Sequence, residues 1–358
     1  MRVVIAMSGG VDSSVAALEL KREGHEVIGM TIKTWPKEEC GSVGEKLCCS
    51  LEAVKFAKSV AGDLKIPHHV VDLSKEFTSV VKDYFAQEYS KGRTPNPCIY
   101  CNSRIKFGYL LQKARELGAK RIATGHYARI LRSNEKSFLI EALDKWRDQS
   151  YFLYDIPRET LPFVELPLGR YSKDWVREVA ASHGLMTANR ESSQDICFAA
   201  AEGDYRTFLK KSGVTAFEPG PILDVNGKIV GEHKGIASYT VGQRKGLGLA
   251  MPEPVYVLKI DPARNEITVG LKEHAMNRKI RVGGFNWLML DKLEKPTKFE
   301  TKIRYNSVKV PALVTPWGED EAVVEFKEPQ FAPTPGQAAV FYMNEKVAGG
   351  AWIEEVLE

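Results

Sequence analysis

The chain has 358 residues, 44% of them apolar, and 50 Lys and Arg against 46 Asp and Glu give a formal charge of +4. That length predicts two or three domains, and the lack of any apolar run near the ~20 residues that span a bilayer argues against a membrane protein. So mild a charge excludes a polyelectrolyte-like chain, and any nucleic-acid contact must come from local basic patches. The N-terminus enters an apolar strand at Val3 with no room for a signal peptide. A reducing, cytoplasmic compartment is therefore expected, where six cysteines read as reactive or metal-binding before they read as a disulfide framework.

Over the first ~125 residues short apolar runs alternate with helical patterns, which predicts βαβ units and a parallel sheet. Val3–Ala6 reads as the first strand and Ser13–Glu23 as the first helix, ended by Gly24. Val27–Ile32 is a second strand; Ser50 caps a helix closed near Gly62; His69–Leu73 is a third strand. Lys75–Ser90 reads as a helix, 92–97 as a rigid loop, and Asn102 or Ser103 as the cap of a helix to Leu117. Arg121–Thr124, the fourth strand, runs into Gly125-His126-Tyr127.

Leu131–Ile140 reads as a hairpin through Ser133-Asn134, and Ser172 caps a helix to His183. From about residue 204 the pattern turns to short strands, with an Asn226-Gly227 hairpin signal and a Gly-rich loop at 242–248. After about 278 it is mostly β, as in a small closed barrel or sandwich. The expected division is an α/β catalytic domain at 1–203, a small β-rich central domain at 204–278 and a C-terminal β-barrel at 279–358.

The stretch Ala6-Met7-Ser8-Gly9-Gly10-Val11-Asp12-Ser13 joins the first strand to the first helix. Amide N–H groups converge at such a junction and the helix dipole favours negative charge, so it predicts a phosphate site. Serine hydroxyls add donors, and Asp12 suits a metal ion bridging phosphates. It lacks the Lys of G-x-x-x-x-G-K-[ST] and is not G-x-G-x-x-G. Ligands on parallel sheets lie at the carboxyl ends of the strands, so this loop, Ile32 and Gly125 are expected to share one crevice.

Cys98-Ile99-Tyr100-Cys101 precedes a helix pattern, a position that lowers a thiol pKa. Zinc, disulfide exchange and iron–sulfur chemistry all use Cys-x-x-Cys; Cys197 is a third thiol, and Cys40, Cys48 and Cys49 cluster elsewhere.

Taken in order, S-G-G-V-D-S at 8–13, T-P-N-P-x-x-x-C-N at 94–102, A-T-G-H-Y at 123–127, D-Q-S-Y-F-L at 148–153, D-I-C-F at 195–198, T-V-G-Q-R-K-G-L at 240–247, R-Y at 304–305 and T-P-G-Q-A at 334–338 resemble the tRNA-specific 2-thiouridylases end to end. The resemblance implies an adenine nucleotide α-hydrolase-like fold whose pyrophosphatase loop (PP-loop) uses ATP and Mg²⁺ to adenylate the C2 oxygen of the wobble uridine, position 34 of tRNA. Sulfur then replaces that oxygen. It makes Ala6 to Ser13, Ile32 and Gly125 nucleotide-binding, Cys101 the nucleophile, and Cys197 the residue that receives persulfide sulfur from a donor protein; the sulfur donor expected is a persulfide carrier protein or sulfide. A Cys101–Cys197 disulfide would follow, to be reopened by a reductant. Contacts to tRNA fall on Asn96-Pro97-Cys98 at the target base, His126, Arg147-Asp148-Gln149, Arg304-Tyr305 and Gln337. Pro95–Pro97 suits a wedge for a flipped base, and Arg244 and Lys245 suit the tRNA backbone.

This chain departs from the family at Cys98, commonly Asp there. Cys98, Cys101 and Cys197 could instead hold a [4Fe–4S] cluster with one open iron. The alternatives to 2-thiolation are another PP-loop enzyme that thiolates or adenylates tRNA, and a non-catalytic RNA-binding or sulfur-carrier protein. The tRNA set, the sulfur donor and the oligomeric state are left open by the sequence.

Overall fold

The computed structural model describes residues 1–35, 51–188, 190 and 196–357. The expected Ser50 cap, the cluster of Cys40, Cys48 and Cys49, and Asp195 of the D-I-C-F motif lie outside them. The chain forms two units: residues 1–82, 98–205 and 345–347 make one, and 83–97, 206–344 and 348–358 the other.

The first unit is built on a parallel sheet. Strands β1 (Arg2–Ala6), β2 (Glu26–Lys33), β3 (His68–Asp72) and β4 (Arg121–Ala123) lie in the order β3-β2-β1-β4, and the short Val164–Glu165 strand extends the sheet beyond β4. Val3, Val4 and Ile5 of β1 are fully buried, as expected of a central strand covered on both faces. Helix α1 (Val11–Arg22) buries Val15, Ala16, Ala17 and Leu20 against the sheet, with Ala57 and Val60 of α2 (Leu51–Asp63) in the same core. Ser172 accepts from Trp175 N (3.2 Å) and so caps α3 (Lys173–Ser182) as the sequence predicts.

The strand order reverses between β1 and β4, because β2 and β3 lie on one side of β1 and β4 on the other. That is a topological switch point, where open parallel sheets bind ligands beyond the strand ends. The predicted hairpin is Ala128–Ser133 with Lys136–Glu141, turned by Asn134 and Glu135 at φ +47° and +63°. Residues 345–347 complete this unit. Glu345 O accepts from Glu141 N (3.0 Å), and the Glu345 carboxylate pairs with Arg129 (2.9 Å) and Lys145 (3.0 Å).

In the second unit a four-stranded sheet joins Gly220–Leu223, Ile229–His233, Tyr256–Asp261 and Glu266–Gly270. Its hairpin turn is longer than the two residues expected at Asn226-Gly227: the Asp224 carboxylate accepts from both Asn226 N and Lys228 N (2.9 Å each) and folds the loop back on itself. Six antiparallel strands (276–287, 321–331, 310–316, 297–302, 338–343 and 346–357, in spatial order) then close into a barrel, the last pairing with the first. Phe299, Val314, Val324, Phe326 and Phe341 fill it. Among the described residues no helix is long and apolar enough to cross a membrane.

Candidate active site

The loop from Ala6 to Ser13 leaves β1 and turns at Gly9, whose φ of +70° suits glycine alone. A side chain there would also meet Ala53 O at 2.4 Å. The Ser13 hydroxyl donates to Gly10 O (3.0 Å) and accepts from Ser8 N (3.1 Å), and the Ser8 and Ser13 hydroxyls lie 3.3 Å apart. Gly10 is the N-cap of α1 and no side chain caps that end. The first amides of a helix have no acceptor within it, so this end is built to receive an anion.

Gly125, just beyond β4, packs edge-on against the loop: a Cβ there would lie 2.8 Å from Asp12 C and Ser13 N. The two glycine-bearing strand ends therefore meet at the switch point. Ile32 lies at the carboxyl end of β2, half-buried. This set of amides, hydroxyls and one carboxylate suits a polyphosphate and its divalent ion.

Two cations at this loop escape sequence reasoning. Lys173, the first residue of α3, places Nζ 2.6 Å from Asp12 Oδ1, an atom that also accepts from Tyr127 OH (2.7 Å). Burial and the Asp12 carboxylate push the Tyr127 hydroxyl pKa far up, so it stays a donor. Arg190 donates to Gly9 O (2.8 Å), pairs with Glu52 (3.3 Å) and covers the Phe56 ring at 4.4 Å. Both residues come from more than 160 positions downstream of the loop. Neither sits in a local motif; the Ser172 cap was the only signal nearby.

The cysteines lie on helical backbone. Residues 97–116 form one helical run, Pro97–Tyr100, then a π-helical stretch Cys101–Tyr109, then Leu110–Glu116. The helix thus begins at Pro97, several residues before the Asn102 or Ser103 cap expected, because proline fits a first helical position that has no use for an N–H. Neither Asn102 nor Ser103 caps: both are buried, Asn102 donating to Phe152 O (3.1 Å) and Ser103 to Asp155 (2.6 Å). Cys101 opens the π-helical stretch, a geometry found mostly at functional sites. Cys197 opens the short helix Cys197–Ala201, which Phe198 pins edge-on to Phe77 at 6.0 Å. The helical turn Ser74–Phe77 packs in turn on the π-helical stretch, so one element touches both cysteine-bearing segments.

Cys98 is exposed, Cys101 and Cys197 are half-buried, and all three are thiols. Among the described residues no group of three His, Cys, Asp or Glu side chains is placed to hold a metal ion. The cluster ligand set considered from the sequence is therefore not gathered.

The residues expected at tRNA fall into two kinds. Asn96 is half-exposed, and Cys98, Arg147, Arg244 and Lys245 are exposed. Pro95 and Pro97 are buried, so neither ring forms the wedge expected of that loop. Others hold loops in place. Asp148 is buried, accepting from Ala142 N (2.9 Å) and from Ser150 N and Oγ (3.3 and 2.7 Å); burial still raises its pKa. Gln149 exchanges two hydrogen bonds with the Tyr127 backbone (2.9 and 2.7 Å).

His126, half-buried, faces the Thr124 hydroxyl (2.7 Å) and the Lys106 ammonium (3.5 Å); desolvation, then that charge, lowers its pKa well below the usual value. It is a neutral imidazole near pH 7. In the second unit Gln337 donates to Thr94 O (2.9 Å) and Pro335 O accepts from Thr94 N (2.9 Å), anchoring the start of the 94–97 loop. Arg304 and Tyr305 follow the strand Thr297–Lys302 in a turn. Nη2 of Arg304 donates to Ala332 O, Thr334 Oγ1 (2.8 Å) and Val241 O (3.4 Å). It thereby clamps loops together. Gln243 brackets the Gly-rich loop, accepting from Thr240 N (3.1 Å) and donating to Lys245 O (3.0 Å).

Three family models match in series: a tRNA methyl transferase HUP domain over 1–201, a tRNA methyl transferase PRC-barrel domain over 206–271 and an aminomethyltransferase beta-barrel domain over 277–353. The tRNA-specific 2-thiouridylase MnmA of Moorella thermoacetica is 46% identical over 357 residues, covering 99% of this chain and 100% of its own length. MnmA 1 of Caldanaerobacter subterraneus is 46% identical over 358 residues, 99% of this chain and 98% of its own. Among solved structures, a 4-thiouridine synthetase–RNA complex with bound ATP aligns over 59% of this chain and 50% of its own, at 20% identity and a TM-score of 0.37.

Proposed function

Because the chain belongs to the tRNA-specific 2-thiouridylase family, we propose that it replaces the C2 oxygen of uridine 34 in tRNA by sulfur at the expense of ATP. A uridine carbonyl is a poor electrophile and its oxygen a poor leaving group. The O2 atom attacks the α-phosphorus of ATP and pyrophosphate departs, held by the amides and hydroxyls of residues 8–13. Mg²⁺, which Asp12 would help to hold, supplies charge neutralisation on the phosphates.

The terminal sulfur of a Cys197 persulfide then attacks C2, and AMP leaves with the oxygen. The Cys101 thiolate attacks Cys197 Sγ and breaks the S–S bond, leaving 2-thiouridine and a Cys101–Cys197 disulfide. A two-electron reductant reopens it. The sulfur donor is a persulfide carrier protein, which passes its terminal sulfur to the Cys197 thiolate and is left as a thiol, and the compartment is the cytoplasm.

The reading rests chiefly on one observation: the anion loop, Gly125 and both cysteine segments belong to one compact unit. In support, Asn96, Cys98 and Arg147 are open to contact tRNA directly, while Asp148, Gln149, Arg304 and Gln337 serve by holding their loops; His126 of the first unit and Tyr305 of the second are each proposed to contact tRNA as well. Residues 1–203 would carry the chemistry, and 204–278 and 279–358 the RNA surface. The persulfide–disulfide route is preferred to a cluster, since it needs only the two thiols.

The test is mass spectrometry of tRNA nucleosides after reaction with ATP and a sulfur source. The expected product is 2-thiouridine, lost in Cys101→Ala and in Cys197→Ala. Thiolation of another base, or full activity of Cys197→Ala, refutes the proposal.

A further inference from the structure

Lys173 occupies an unfavourable place for a lysine. Its side chain is 6% exposed, and it is the first residue of a ten-residue helix, where the dipole repels a cation. Burying an ammonium is costly unless it is paired. The pair it makes is with Asp12, in the first turn of α1, at the end of the anion loop. Asp144 fixes the register, because its carboxylate accepts from Lys173 N (3.3 Å), and it also holds its own turn through Trp146 N (3.2 Å). The Tyr127 ring lies 5.8 Å from Nζ and walls off one side. Tyr127 OH and Lys173 Nζ converge on the same oxygen, Asp12 Oδ1, and the Asp12 side chain is 30% exposed.

We propose that Lys173 is a phosphate-binding residue of the adenylation step, held on Asp12 until a triphosphate occupies the loop. The ammonium lies one carboxylate away from the site. Arrival of the nucleotide gives it a second anion within reach of a flexible four-carbon stem. There it neutralises charge that grows on the departing pyrophosphate, which a fixed backbone amide can do only in part. No bond is made or broken at Nζ; its role is donation to phosphate oxygen. The inference deepens the proposed function and rests on it for the identity of the nucleotide.

The experiment is calorimetric titration of the full-length protein with ATP and, separately, with AMP, beside thermal melting. Lys173→Met is expected to weaken ATP binding about tenfold or more and to change AMP binding less than about threefold. Equal losses for ATP and AMP, or unchanged ATP affinity with only a lower melting temperature, assign Lys173 to the fold and overturn the proposal. Lys173→Arg keeps the pair with Asp12 and decides the matter if the Met variant does not fold. At a wild-type melting temperature, ATP affinity reduced more than about threefold supports the proposal, and wild-type ATP affinity overturns it. Binding of ATP and AMP is read without tRNA, whereas the tRNA product is read on the wild type. Failure of the inference is thus separate from failure of the functional reading.

Discussion

Gly125→Ala puts the argument for the shared crevice to its sharpest test. The added methyl would stand 2.8 Å from Asp12 C and Ser13 N and 3.1 Å from Asp12 O. Ordinary contact begins at 3.4 Å, so backbone must separate by at least 0.6 Å (3.4 − 2.8). Helix α1 cannot slide away as a body, because Val15, Ala16 and Ala17 behind it are fully buried. The first turn of α1 at 11–13, with the loop that leads into it, is what can yield. Overpacking of this kind costs about 1–3 kcal/mol. If the loop moves and nucleotide binding must restore it, ATP binding weakens roughly 5- to 150-fold. If the loop holds, the same energy appears as a lower melting temperature. Calorimetric ATP titration and a thermal melt on one preparation capture both cases. A variant with wild-type affinity and wild-type melting would refute the edge-on packing of β4's end against the loop.

Gln337→Ala removes one hydrogen bond to Thr94 O, worth about 0.5–1.5 kcal/mol; tRNA affinity should fall a few-fold with ATP affinity unchanged, as filter binding and calorimetry would show. Arg244→Ala and Lys245→Ala should each reduce the slope of log K for tRNA against log salt by roughly 0.7–0.9, a change a salt titration resolves. The folded-state pKa of His126 lies below its ordinary 6.5, so its contribution to stability is complete above that pH and is lost as pH falls through the folded value. Unfolding free energy of the wild type should therefore drop more steeply below pH 6.5 than that of His126→Asn in denaturant titrations. Protein purified anaerobically with added iron should be colourless and active; iron-dependent visible absorbance that tracks activity would restore the cluster route.

The anion loop, its flanking strand and helix, and the change to β structure near residue 204 are local patterns and were legible in the sequence. So were the Ser172 cap and the turn at Asn134. What escaped came from partners far along the chain. Lys173 and Arg190 carry no motif, and only the fold brings them to the loop. Asp148 and Arg304 read as polar residues available to a ligand, yet each holds backbone and hydroxyl groups that sequence cannot locate. The π-helical stretch at 101–109 defeats a 3.6-residue pattern, and the cap at Asn102 or Ser103 failed for another reason: the helix already starts at Pro97, and both residues have buried partners of their own.

The unit that carries the anion loop includes residues 345–347, and the other unit includes 83–97. On the ribosome this ordering has a temporal consequence. At ~5–20 residues per second, tens of seconds of translation separate the loop from the segment that finishes its unit. The edge of the 128–141 hairpin and the cations Arg129 and Lys145 wait for Glu345 through the 200 residues made between Lys145 and it. Completion of the unit with the anion loop is thereby deferred until residues 345–347 are made, and a nascent fragment ending near residue 205 is one short segment from whole.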